Sequence, residues 1–126
     1  MTTILDGTIL LIDDDATMRQ VIAHSFRAFG YFVYEYANGE AAVEFLQNHL
    51  GPIDLLVTDM VLPGMDGAEA ARAAQGLRPG LPVIRMSGWP SCSRLCEVLD
   101  EDGLFLAKPF RLEQLGRFAR AMIHTS

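Results

Sequence analysis

The stretch Thr8-Ile9-Leu10-Leu11-Ile12-Asp13-Asp14-Asp15 decides how this chain folds. An apolar run, β-branched at Thr8, Ile9 and Ile12, stands between Gly7 and an acidic cluster. A strand with one wet face alternates apolar and polar residues. A run without alternation fits a strand buried on both faces, the habit of parallel sheets. Asp15 is placed to cap a helix in which Val21, Ile22, Phe26 and Phe29 recur at helical spacing before Gly30 ends the pattern.

Strand and helix go on alternating from there. Tyr31–Tyr36, rich in aromatics and valine, reads as a second strand. Asn38 caps a helix with Ala42, Val43 and Leu46 on its apolar face, and Gly51-Pro52 stops it. Ile53–Thr58 is a third apolar run, ending in Asp59. Pro63-Gly64 and Asp66-Gly67 mark a loop, and an alanine-rich helix follows to about Gly76. Pro82–Met86 is a fourth strand, left through Ser87-Gly88. A helix is expected over Ser91–Asp102, a fifth strand over Leu104–Ala107, and a last helix carrying Leu112, Leu115, Phe118 and Met122 on one face. Five strands alternating with five helices predict an α/β fold with a parallel sheet, and right-handed crossovers make it a doubly wound open sheet.

Composition narrows the function. The 126 residues are one domain's worth, and 50% hydrophobic with 21% charged residues excludes intrinsic disorder. Apolar runs as short as Ile9–Ile12 exclude a membrane-spanning helix. The first seven residues carry no basic or apolar signal segment, so a cytoplasmic location is expected. Sixteen acids against ten bases give a net charge of −6, which argues against nucleic-acid binding and suits carboxylates gathered at a cation site. Two cysteines, Cys92 and Cys96, and the scattered His24, His49 and His124 form no metal-ligand pattern; free thiols are the expected state of the cysteines.

In such sheets ligands bind beyond the carboxyl ends of the strands. Those ends carry Asp13, Asp14 and Asp15, then Asp59, then Ser87, then Lys108. Converging carboxylates repel one another, and a hard cation such as Mg²⁺ relieves the repulsion while keeping several waters. A lysine adds a point charge for an anion, and a hydroxyl adds a donor. Together these are the parts that stabilise a transferring phosphoryl group. No Walker loop is present to cradle a nucleotide. A carboxylate can itself be the nucleophile, giving an aspartyl phosphate.

Four linked motifs carry a family resemblance. They are Leu10–Asp14, Leu56–Gly67 (LVTDMVLPGMDG), Val83–Gly88 (VIRMSG) and Phe105–Phe110 (FLAKPF). With them the chain resembles the CheY-like receiver domains of bacterial two-component response regulators, from about Thr8 to Ile123. The resemblance implies a flavodoxin-like sheet of order 2-1-3-4-5 and a single receiver domain over 1–126, its core about 8–123; no output domain is expected within these residues, whether the chain acts alone or is one domain of a longer protein. It implies that Asp59 accepts a phosphoryl group from a partner's phosphohistidine, on a histidine kinase or a histidine phosphotransfer protein. Mg²⁺ is then held by Asp14, Asp59 and the backbone carbonyl of Met60, with Asp13 acting through water. Lys108 and Ser87 engage the phosphoryl oxygens, and Phe105 is the switch aromatic that turns inward behind Ser87. The response is a changed surface around the fourth helix, fifth strand and fifth helix. Partners are expected there and on the first helix near Met18. Autodephosphorylation is the only turnover implied, so the chain is not a conventional enzyme. The sequence around Arg78–Gly88 and Phe105–Phe110 resembles most the receivers of hybrid histidine kinases, and a stand-alone phosphorelay shuttle fits almost as well.

Two other readings remain at this point. A pseudo-receiver would use the fold as a phosphorylation-independent interaction module, against which the full set Asp13, Asp14, Asp59, Ser87 and Lys108 argues. A Mg²⁺-dependent phosphatase acting on outside substrates lacks a substrate-pocket motif. Some positions depart from the family pattern. Arg85 stands inside a strand where an apolar residue is expected, and a buried arginine is costly unless paired. Trp89, two residues past Ser87, and Val61, two past Asp59, flank the route of a hydrolytic water and are expected to slow loss of the phosphoryl group. Trp89→Ala should therefore shorten the lifetime of the aspartyl phosphate, followed by the decay of the intact phosphoprotein mass; an unchanged lifetime would remove that role.

Overall fold

The computed structural model describes residues 7–87, 97–100, 103–107 and 111–124. In chain order the elements are β1 (Thr8–Ile12), α1 (Ala16–Ala28), β2 (Phe32–Tyr36), α2 (Gly39–Asn48), β3 (Leu55–Asp59), α3 (Gly67–Leu77), β4 (Val83–Ser87), β5 (Glu97–Asp100), β6 (Gly103–Ala107) and α4 (Leu112–His124). The sheet runs β2-β1-β3-β4-β6-β5. Its pairs are parallel throughout, except β5 with β6, which is antiparallel. The architecture is the doubly wound α/β sheet expected from the sequence.

Its apolar strands divide their side chains between two faces because successive residues point opposite ways. Ile9, Leu11, Leu55, Val57, Ile84, Met86 and Leu106 pack with Ile22 and Phe26 of α1 and Leu115 and Ala119 of α4. Leu10, Ile12, Leu56 and Val83 pack with Ala42 and Leu46 of α2 and Ala70, Ala71 and Ala74 of α3. Burial on both faces is why β1 and β3 show no alternation; all five residues of β3 are buried.

The caps follow the sequence. Asp15 accepts the Met18 N–H at 3.1 Å and Asn38 the Ala41 N–H at 2.7 Å. Asp66, read in the sequence as a loop residue, is the cap of α3 and accepts the Glu69 N–H at 2.8 Å. Each such bond satisfies a helix-end donor that has no partner within the helix.

One element departs from expectation. Glu97–Asp100, placed by the sequence in a helix over Ser91–Asp102, is strand β5, with Val98 opposite Phe105 and Asp100 opposite Gly103. Among the described residues the elements are six strands and four helices, where five of each were expected. A four-residue stretch holds too little periodicity to tell the two states apart. Pairing along the outer edge of β6 decides it, since that edge otherwise presents unpaired backbone groups. Residues 91–96 lie outside the described residues, as do Trp89, Cys92 and Cys96. No helix among the described residues is long and apolar enough to cross a membrane.

Candidate functional site

The chain leaves β1 toward β2 on one side of the sheet and returns to β3 on the other, so the sheet order reverses between β1 and β3. The carboxyl ends of these two strands border the crevice where doubly wound sheets bind ligands. Asp13, Asp14 and Asp59 meet there, with one carboxylate oxygen from each lying within 4.8 Å of the others. Asp13 is fully buried and Asp59 is 7% exposed, while Asp14 faces solvent. The sequence expectation that these acids converge holds.

Backbone contacts hold each acid in place. The Asp13 N–H donates to the Tyr36 carbonyl at 3.1 Å, which extends the β1–β2 ladder by one bond. The Asp13 Oδ1 accepts the Asp15 N–H at 3.0 Å, so the turn from strand to helix closes on its own first carboxylate. The Asp59 Oδ1 accepts the Val61 N–H at 3.1 Å, and the Thr58 hydroxyl donates to the Asp59 carbonyl at 3.0 Å. The Met60 N–H donates to the Met86 carbonyl at 2.8 Å, tying the loop after β3 to β4. Burial, and secondarily Tyr34, raises the Tyr36 phenol above its ordinary range.

The donor set fits a hard cation. It is all oxygen, carries up to three negative charges in a small volume, and keeps one carboxylate open to water. The Met60 carbonyl, expected as a further ligand, accepts the Gly67 N–H at 3.1 Å and is directed at the start of α3.

Ser87 closes β4 and pairs with Ala107, the last residue of β6. Lys108 follows Ala107 directly and lies outside the described residues. Phe105 sits in β6 opposite Arg85, which in turn is opposite Thr58 of β3. Arg85 is half-buried. Val61 is 50% exposed, on the loop just past Asp59.

Four residues that sequence reasoning passed over support the site. On α1, Arg19 donates from a guanidinium nitrogen to the Asp13 carbonyl at 2.9 Å, and its Nε lies 3.5 Å from the Glu35 carboxylate. On α2, Glu40 accepts the Met65 N–H at 3.2 Å, holding the loop between β3 and α3. Gly67 lets α3 start directly against Asp59 and Met60. A signal for Arg19 existed: a cation near the positive end of a helix opposes the helix dipole and asks for a reason. Glu35, Glu40 and Gly67 carry no comparable mark.

A doubly wound parallel sheet with a carboxylate cluster at its switch point has the groups that could hold a metal ion. The family is shown by comparison. Residues 9–120 match the response regulator receiver domain, and the chain belongs to that family. It is 37% identical over 108 residues to the response regulator receiver protein CpdR of Brucella abortus, covering 85% of this chain and 88% of that one. It is 32% identical over 119 residues to the sensor kinase CckA of the same organism; the match takes in 93% of this chain and 12% of the kinase. The crystal structure of the receiver domain from the hybrid histidine kinase CckA superposes with a TM-score of 0.81 at 32% identity, covering 94% of this chain and all of that one. The chain is a CheY-like receiver domain of the two-component type, a signalling domain rather than a conventional enzyme.

Proposed function

We propose that Asp59 is the phosphoacceptor of this receiver, and that phosphorylation by a histidine kinase or a histidine phosphotransfer protein is its input. The observation that carries the reading is the meeting of the Asp13, Asp14 and Asp59 carboxylates within 4.8 Å at the switch point of the sheet. In the reaction an Asp59 oxygen attacks phosphorus and forms the new P–O bond. The P–N bond to the partner's imidazole breaks, and the imidazole leaves with that electron pair and takes up a proton. The Val61 N–H, on the Asp59 Oδ1 at 3.1 Å, orients the nucleophile. Asp14 and Asp59 would hold Mg²⁺ directly and Asp13 through water. Bound there, Mg²⁺ supplies neutralisation of the charge on the transferring oxygens.

Lys108 and Ser87 are assigned to the phosphoryl oxygens, Lys108 as a point charge and Ser87 as a hydroxyl donor. The new phosphoryl group adds about −1.5 to −2 charge and three acceptors beside the end of β4. Attraction of Ser87 toward it, with Phe105 filling the space behind, would bias the surface formed by β6 and α4 between two states. The output then runs through a protein that reads this surface.

The test is the intact mass after incubation with acetyl phosphate, with Mg²⁺ and after chelation. A single phosphoryl adduct that falls to background on chelation is the expected result. Folded protein that gains no adduct from acetyl phosphate or from a phosphohistidine donor would overturn the reading and leave a phosphorylation-independent interaction module.

A further inference from the structure

Asp14 is the least anchored of the three acids. Among the described residues its carboxylate has no hydrogen-bond partner, and it faces solvent. Its direction must therefore come from the backbone. The peptide unit between Asp13 and Asp14 is planar, so the Asp13 carbonyl oxygen, the Asp14 N–H and the Asp14 Cα move as one body. Arg19 grips that oxygen at 2.9 Å.

Arg19 is itself held. Its Nε lies 3.5 Å from the Glu35 Oε1, and the Glu35 Oε2 accepts from Arg27 at 2.9 Å. Arg27 also donates to the Val33 carbonyl at 2.8 Å, which secures it on β2. The Arg19 and Glu35 side chains are only 18% and 23% exposed, so the pair is shielded more than an ordinary surface ion pair. A guanidinium suits the task because its planar fork serves two acceptors in fixed directions.

We infer that Arg19 is a positioning residue, which aims Asp14 at the cation by fixing the Asp13–Asp14 peptide, and that Glu35 holds Arg19 for this role. The inference rests on the Mg²⁺ reading given above. It makes a prediction whose sign separates it from plain electrostatics. Removing a positive charge near three carboxylates should, by charge alone, tighten cation binding. Losing the aim of one ligand should weaken it, and partners that orient metal ligands are typically worth about 10- to 100-fold in affinity.

The experiment is a Mg²⁺ titration of the full chain followed by backbone amide NMR shifts, for wild type, Arg19→Gln, Arg19→Lys and Arg27→Gln. Arg19→Gln should raise the Mg²⁺ dissociation constant about tenfold. Arg27→Gln removes the same charge one contact further from the loop, so it should raise the constant less than Arg19→Gln does. Arg19→Lys keeps the charge but not the fork, so it should also weaken binding; it serves as the test if Arg19→Gln does not fold. A role confined to stability would lower the melting temperature and leave the Mg²⁺ constant unchanged. That result, or tighter binding in Arg19→Gln, overturns the inference alone. A wild-type chain that binds no Mg²⁺ overturns the reading beneath it.

Discussion

Asp59→Asn is expected to remove the phosphoryl adduct completely while leaving the fold in place. The substitution conserves shape, and the side-chain oxygen can go on accepting the Val61 N–H now made at 3.1 Å. What disappears is the charged oxygen that attacks phosphorus; a neutral carboxamide is a poor nucleophile. The change also deletes one of three negative charges gathered within 4.8 Å. In Mg²⁺-free buffer the variant should therefore melt higher than wild type, by on the order of 1 kcal/mol in stability. Adding Mg²⁺ should raise the wild-type melting temperature, since a ligand of the native state stabilises by linkage, and raise that of the variant less. Intact mass and thermal unfolding, each with and without Mg²⁺, check both halves. An adduct that persists in Asp59→Asn would move the phosphorylation site elsewhere.

The second large effect concerns a residue with no functional group. A Cβ added at Gly67 would lie 2.1 Å from the Asp59 carbonyl oxygen, 2.6 Å from the Met60 Cα and 2.9 Å from the Asp59 carbonyl carbon. These are backbone atoms at the end of β3 and the start of the following loop, so they cannot give way as a side-chain tip does. Gly67 also donates its N–H to the Met60 carbonyl at 3.1 Å, which holds α3 against that loop. Gly67→Ala should cost roughly 3 kcal/mol or more, at the upper end of what overpacking does. It should also slow phosphorylation, because relief of the clash shifts Asp59. Gly76→Ala is the matched control. It lies in the same helix with nothing within 4 Å of the added methyl, so it should gain up to about 1 kcal/mol from better helix propensity. Urea unfolding compares the two; a Gly67→Ala variant as stable as wild type would show that the loop yields after all.

The acids of the site were legible in sequence because each stands directly after an uninterrupted apolar run. Burial on both sheet faces makes such a run, and a parallel sheet puts the carboxyl ends of its central strands side by side. Ile12-Asp13-Asp14 and Thr58-Asp59 could thus be paired across 43 residues of intervening chain without coordinates. Caps were legible at Asp15 and Asn38 for a local reason: a short acceptor side chain just before a helix has a backbone donor to meet. Asp66 has the same chemistry, but the neighbouring Pro63-Gly64 and Gly67 read as a turn and hid the cap.

Other features depend on partners far along the chain. Local pattern over Glu97–Asp100 is compatible with helix or strand, and the free edge of β6 chooses strand. The Arg19 grip on Asp13 needs α1 to lie against β2 so that Glu35 can hold the guanidinium. The clash at Gly67 exists only because α3 begins in contact with the loop after β3. The sequence by itself determined the alternation of elements, the sheet class and which acids could meet, since those follow from periodicity and from residues adjacent in the chain. Tertiary structure alone decided the outer strand, the direction of the Met60 carbonyl and the side chains that hold the acids in place. Such contacts join residues whose spacing leaves no periodic trace, and their geometry is set only when the layers pack.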